Sequence, residues 1–241
     1  KLGSGTKVYD NLNTLYDTSV NITNSAAFTS NTDKGSTRVS FTNLDAQDVI
    51  NTSKLKRNSF NLTSSQKLSD KLSVTASIKY SETKEQGNVV MATAPMSPNG
   101  AIRDFAPNVD LNDYLGPFGN GTQDGEIELS PSSNAFNTNP WFAKFNNITS
   151  SNKDRLLGAV SIRYDITDYL YLRAQAGVDR GTNHFNNNIL NGAPLFQPGV
   201  AYNIKGNLYE QTQTIKQSDA DFFIGTDNLK INEDFSFNGF I

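Results

Sequence analysis

One histidine and no cysteine leave this chain few routes to covalent chemistry. His184 has neither a thiol nor a second imidazole to share a zinc ion with, and no acid beside it in sequence to orient its ring. No catalytic residue is assigned, and an enzyme is not expected. Asp110, Asp113, Asp124 and Glu126 crowd one segment, but their spacing departs from a calcium-binding EF-hand loop. Calcium is the one cofactor these acids leave open; none is expected. The glycines at 119, 121 and 125 lack the preceding strand and following helix of a phosphate loop. What remains is chemistry for binding. Arg38, Lys79, Arg163, Arg173 and Gln175 carry charge-assisted or carboxamide hydrogen bonds. Phe105, Tyr114, Phe118, Phe136, Trp141 and Phe142 stand among Asn, Asp and Gly, a mixture suited to sugar or peptide. The same rings would serve equally to anchor their segment, and the same charges to line a hydrated wall.

The elements that must position these groups read as strands. Leu156, Gly158, Val160, Ile162 and Tyr164 alternate with Leu157, Ala159, Ser161, Arg163 and Asp165. Beyond the link at 166–168, Leu170, Leu172, Ala174, Ala176 and Val178 alternate with Tyr171, Arg173, Gln175, Gly177 and Asp179. A period of two places these sets on opposite faces of a strand, one apolar and one polar. Each strand has about the ten residues that cross a bilayer when tilted. Leu72, Val74, Ala76, Ile78 and Tyr80 repeat the pattern against Ser73, Thr75, Ser77 and Lys79. Further strands start near residues 17, 37, 56, 207 and 235. Arg38 and Lys67 fall on polar faces, where a charge avoids the ~2–4 kcal/mol cost of facing lipid. Phe222 and Phe223 are adjacent, so one of them breaks the alternation.

Composition supports strands over helices as membrane-crossing elements. Hydrophobic residues make up 36% of the chain and charged residues 19%, and no apolar run reaches the ~18 residues of a spanning helix. A barrel needs an apolar residue only at every second position. The net charge of −3 is dispersed, and nothing suggests a nucleic-acid partner. The chain begins without Met and ends inside an alternating pattern, so both ends read as cuts in a longer protein.

Loop lengths alternate. The connections at 30–36, 68–71, 165–169 and 231–234 are short, whereas those at 45–54, 84–153 and 182–206 are long. Tight turns at one end and extended loops at the other are the pattern of an up-and-down transmembrane barrel. The fold expected is therefore all-β, about eight antiparallel strands of a larger barrel. Residues 1–16 form a lead-in, and 17–241 the partial barrel with external loops at 84–153 and 182–206. Tyr164 and Tyr169 flank a short turn where an interfacial girdle belongs, and His184 falls in a loop.

The segment 155–170 (RLLGAVSIRYDITDYL), preceded by Asn139, Pro140 and Trp141, resembles the barrel of SusC/RagA-like TonB-dependent outer-membrane transporters. So do 41–50 (FTNLDAQDVI), leading through Lys56, Arg57 and Asn58 to Phe60, and 65–73 (SQKLSDKLS). The pieces occur in the family's order and the likeness spans about residues 17–240. It implies a 22-stranded barrel in the bacterial outer membrane, surrounded by lipid and closed by a plug that answers to TonB. It also implies a SusD-like surface lipoprotein partner and a cargo of oligosaccharide or peptide. Phe105, Tyr114, Phe118, Trp141 and Phe142 are then candidates for cargo or partner contact. Arg38, Lys79, Arg163, Arg173 and Gln175 become candidates for the lumen wall. A related barrel acting as an assembly scaffold and a soluble all-β glycan-binding module are the alternatives.

Overall fold

The computed structural model of the chain describes residues 6–87, 96–129, 138–189, 195–197, 200–203, 207–230, 232 and 235–241. In chain order these contain helix α1 (Asn11–Leu15) and strands β1 (Val20–Thr32), β2 (Gly35–Gln47), β3 (Lys54–Lys67) and β4 (Leu72–Gln86). Helix α2 (Pro98–Asp104), a 3-10 turn (Leu111–Tyr114) and helix α3 (Pro140–Asn146) come next. They precede β5 (Asn147–Asp165), β6 (Leu170–Ile189), β7 (Leu195–Gln197), β8 (Val200–Asn203), β9 (Asn207–Lys230) and β10 (Ser236–Phe240). Eight strands form one antiparallel sheet in the order β1-β2-β3-β4-β5-β6-β9-β10, and β7 pairs with β8 apart from it. Each strand of the large sheet bonds the strand before it, with no Greek-key crossing among them. That is an up-and-down wall.

The short turns explain how the register is held. Leu68 N–H and Ser69 N–H both donate to the carbonyl of Leu72, and Ile166 N–H and Thr167 N–H both donate to that of Leu170. A hydroxyl residue followed by aspartate recurs at the same place in both turns. The Thr167 hydroxyl accepts from Leu170 N–H at 3.0 Å, and Ser69 Oγ accepts from Lys71 N–H at 3.3 Å. Lys71 Nζ reaches the Ile166 carbonyl at 3.2 Å and ties the two neighbouring turns together.

Register puts the alternating apolar residues of successive strands in common rows. Leu72 faces Tyr164 across β4 and β5, and Tyr164 faces Leu172 across β5 and β6. Leu172 in turn faces Ile224 of β9. Four rungs further from the short turns, Phe41, Phe60, Tyr80 and Leu156 are opposite one another across β2 to β5. Between these two rows lie Val74, Ile78, Val160, Ala174, Ala176 and Phe222. The band covers nine residues of β5, about 26 Å along the strand at ~3.3 Å per residue, or about 20 Å in height when tilted ~40°. Much of it is exposed: Ile162 is 44%, Tyr164 46% and Phe222 64% accessible, while Leu72, Val74 and Leu172 are half-buried. A soluble sandwich would bury such a face against a second sheet.

Three strands run well past the band. β5, β6 and β9 have 19, 20 and 24 residues, and beyond Leu156 their apolar face turns polar with Asp154, Asn152, Thr182 and Thr214. His184 therefore lies within β6, its Nδ1 2.9 Å from the Thr212 hydroxyl, and not in a loop. The intervening connections are 87–146 and 190–206, and the one between β2 and β3 is only 48–53. Polar residues on both faces erase the alternation that would have marked these extensions.

The buried core is elsewhere. The lead-in folds as α1 and packs with the long connection into a cap. Leu15, Ile102, Leu111 and Trp141 form its centre, with Tyr16, Phe105, Tyr114, Leu115 and Phe145 around them. Trp141 stacks on Phe145 at 6.0 Å and donates its indole N–H to the Leu111 carbonyl at 2.9 Å. Buried Lys144 donates to the Leu15 carbonyl at 2.8 Å and to Asp17 at 3.2 Å, binding α3 to the end of α1.

Candidate functional site

Chemistry concentrates on the polar face of the sheet, at the end with the short turns. Arg163 of β5 is the centre. Its Nε donates to Asp165 at 2.8 Å and its Nη2 to Asp227 of β9 at 2.7 Å. The guanidinium carbon lies 3.9 Å from the centroid of the Tyr171 ring, stacked over it. Tyr171 is 7% exposed and lies flat because its register partner is Gly225, where a Cβ would overlap the ring. Strand β9 must therefore carry glycine at this position for β6 to carry tyrosine.

One rung along, Arg173 faces Phe223, with its guanidinium carbon 4.5 Å from the ring centroid. Phe223 meets Phe240 edge to face at 5.6 Å. The alternation conflict is thereby resolved: Phe222 keeps the apolar face, and Phe223 turns to the polar one, where two partners receive it. Arg173 Nε is enclosed and makes no hydrogen bond. A donor held in place without an acceptor is costly unless something else supplies one.

Further along, Gln175 donates to Asp221 at 3.0 Å, and Arg155 grips Asp179 through Nε at 2.9 Å and through Nη2. Lys153 reaches Glu85 at 2.9 Å. On β1 to β4 the same face is lined by hydroxyls and amides. Arg38 donates to Thr29 at 3.1 Å, and exposed Lys79 lies opposite Asn61. All five polar-face residues expected from the sequence share one surface. Arg163, Arg173 and Gln175 come together on it, whereas Arg38 and Lys79 stand strands away. Asp227, Asp221, Tyr171, Phe223 and Gly225 complete the cluster. Tyr171 was already on the polar face of β6 by parity, and the parity of β9 would have found the other four once Phe222 was set on the apolar side.

The cap places the loop rings differently from one another. Phe142 is fully enclosed beside Met96, and Trp141 is 7% exposed. Gly121, at φ +78°, passes so close to the Phe142 backbone that no side chain fits. Phe105 and Tyr114 are half-buried against each other at 5.4 Å. Of the five rings proposed for contact, Trp141 and Phe142 have no surface to offer a ligand. Phe118 does, being 61% exposed. Phe136 lies outside the described residues.

Asn139 holds the cap's interior together. Its Nδ2 donates to the carbonyls of Tyr114 at 2.7 Å and Leu129 at 2.6 Å, and its Oδ1 accepts from Trp141 N–H at 2.9 Å. Asp124 accepts from the amides of Glu126 at 3.0 Å and Ile127 at 2.7 Å. Those bonds, Ile127 first, hold its carboxyl below the ordinary aspartate range. Asp110 is similarly occupied by Asn112 N–H at 3.0 Å. Among the described residues no group of three or more histidines or acids is arranged to hold a metal, and no helix is long and apolar enough to cross a membrane.

No family model matches the sequence, and no curated protein matches it closely enough to count as a relative. Solved structures do match. A structure of the RagAB peptide transporter gives a TM-score of 0.65 at 18% identity, over 94% of this chain and 24% of that one. The RagAB peptide importer in its open-open state gives 0.58 at 17% identity, over 90% and 23%. Its closed-closed state gives 0.57 at 17%, over 91% and 23%. The chain thus spans about a quarter of the length of the structures it matches. At these identities the likeness establishes the fold alone: an eight-stranded antiparallel stretch of a larger up-and-down β-barrel.

Proposed function

We propose that this chain is part of the wall of an outer-membrane, TonB-dependent transporter, that its cargo is peptide or oligosaccharide, and that a SusD-like surface lipoprotein caps it outside. The observation that carries the proposal is the two-sidedness of the sheet. An apolar band on one face ends in a row with Phe41, Phe60 and Tyr80 and, at the other end, a row with Tyr164, and the opposite face is polar and charged. Lipid covers the first and the lumen lies along the second. A closed barrel satisfies every backbone group in lipid, so the wall itself needs no further chemistry. Peptide is the cargo to test first, because the structures matched are of a peptide transporter and importer. The polar face also carries paired cations and anions able to meet both termini of a peptide.

In this arrangement Arg163 and Arg173 stand at the end of the lumen nearest the short turns, where a plug energised through TonB would meet the wall. The long connections carry Phe118 outward toward cargo and lipoprotein. The test is uptake by cells making the full-length protein, with fluorescent oligopeptide and oligosaccharide offered separately. Uptake of one class that stops when the membrane is de-energised is expected. Equal uptake with and without the protein, for both classes, would overturn the assignment.

A further inference from the structure

Resting on the membrane reading above, we infer that the outer surface of the wall holds a lipid with a phosphorylated head group, bound by Arg180 and Lys216. The row of Phe41, Phe60, Tyr80 and Leu156 that ends the apolar band continues across β6 and β9 into these two residues. They are opposite one another in register, both exposed, at the depth where an interfacial row meets head groups. Like charges directly across a strand pair destabilise it unless an anion lies between them.

Two of the other cations on this surface have acids of their own. Lys84 pairs with Glu82 at 2.8 Å, and Lys56 with Asp45 at 3.2 Å. Neither Arg180 nor Lys216 makes an ion pair within the described residues. The acid next to Arg180 in sequence, Asp179, is on the opposite face and held by Arg155. Asp154, one rung above on the same face, makes no ion pair with either.

Directly below the pair the band is hollowed. Small residues at Ala76, Gly158 and Ala176 leave a groove of about 510 Å³, bordered by Ile78, Val160 and Val178. Val178 is two residues from Arg180, so groove and cations share one side of β6. An apolar channel leading into the membrane from two unneutralised cations fits an acyl chain beneath a phosphate. The occupant is a lipid of the leaflet on the long-loop side. A free anion would use the cations and ignore the groove.

The test uses the full-length protein in a non-ionic detergent, with its unfolding temperature followed as dioleoyl phosphatidic acid, dioleoylglycerol or inorganic phosphate is added. Phosphatidic acid should stabilise, and the double variant Arg180→Gln/Lys216→Gln should weaken its apparent affinity by about tenfold or more. Lys84→Gln, on the same surface but paired with Glu82, should leave the affinity unchanged. Dioleoylglycerol and phosphate should each stabilise far less. An unchanged affinity in the double variant overturns the site, and so does equal stabilisation by inorganic phosphate, which would mark a free-anion site. A polarity-sensitive dye at Val160→Cys separates this from failure of the membrane reading. A dye quenched in lipid together with a flat phosphatidic acid titration removes the lipid site alone.

Discussion

Gly225 matters because of what its neighbour needs. The ring of Tyr171 occupies the space a side chain would take, and Arg163 lies on that ring while gripping Asp165 and Asp227. Gly225→Ala is expected to cost about 1–3 kcal/mol, the usual range for forcing an extra group into a packed site. The measurement is the urea midpoint of the full-length barrel in detergent. Adding Tyr171→Ala should recover part of the loss, since the two changes share one cause. Equal losses with and without the ring would contradict the packing argument. Asp124 supplies a pH prediction. Its folded pKa is depressed, so its contribution to loop order is complete above the ordinary aspartate range, near ~3.9, and is lost as pH falls through the lower folded value. Protection factors at residues 125–127, taken relative to unstructured amides at the same pH, should be steady from neutral pH to about 5 and fall below about 4. Asp124→Asn, which keeps an acceptor, should flatten that response; a midpoint near neutrality would rule the carboxylate out as its source.

At the scale of elements, the cap and the wall are held by different forces and should fail separately. Asn139 is buried and satisfies the carbonyls of Tyr114, at the end of the 3-10 turn, and of Leu129, as well as the start of α3. Asn139→Ala leaves those groups enclosed without partners, at about 1–3 kcal/mol each. Protease should then cut residues 97–146 readily while the strands stay protected and the unfolding temperature of the barrel hardly moves. Joint loss of cap and wall would contradict their independence. The cap was also the part least legible in sequence. Its helices, Asn11–Leu15, Pro98–Asp104 and Pro140–Asn146, are too short to display a helical period. What forms its core is contact between residues about a hundred positions apart, such as Asn11 with Val109. By contrast, Leu72–Tyr80 and Leu156–Tyr164 announce their strands, because one face must be apolar and the other need not be. The upper halves of β5, β6 and β9 have no such obligation and left no pattern.

For the whole molecule, on the proposed membrane reading, the alternation of short turns and long connections puts the two ends of the wall on opposite sides of a membrane. Cysteine at Phe118 and cysteine at Asp168, each labelled in intact cells carrying the full-length protein, should differ. The first is expected to react with an impermeant maleimide and the second only after permeabilisation. Reaction of both in intact cells would refute the topology. The site was half legible at this scale. Arg163, Arg173 and Gln175 could be set on one face by parity alone, but their companions Asp227 and Phe223 required the register of β9, which Phe222 and Phe223 left undecided. The central claim is that the apolar face meets lipid and the polar face does not. It is tested most directly by an environment-sensitive dye placed in turn at 159, 160, 161, 162, 174 and 175 in the full-length protein in bilayers, with a lipid-bound nitroxide as quencher. Quenching should alternate residue by residue, strong at 160, 162 and 174 and weak at 159, 161 and 175. Uniform quenching across the six positions, or the reverse alternation, would contradict it.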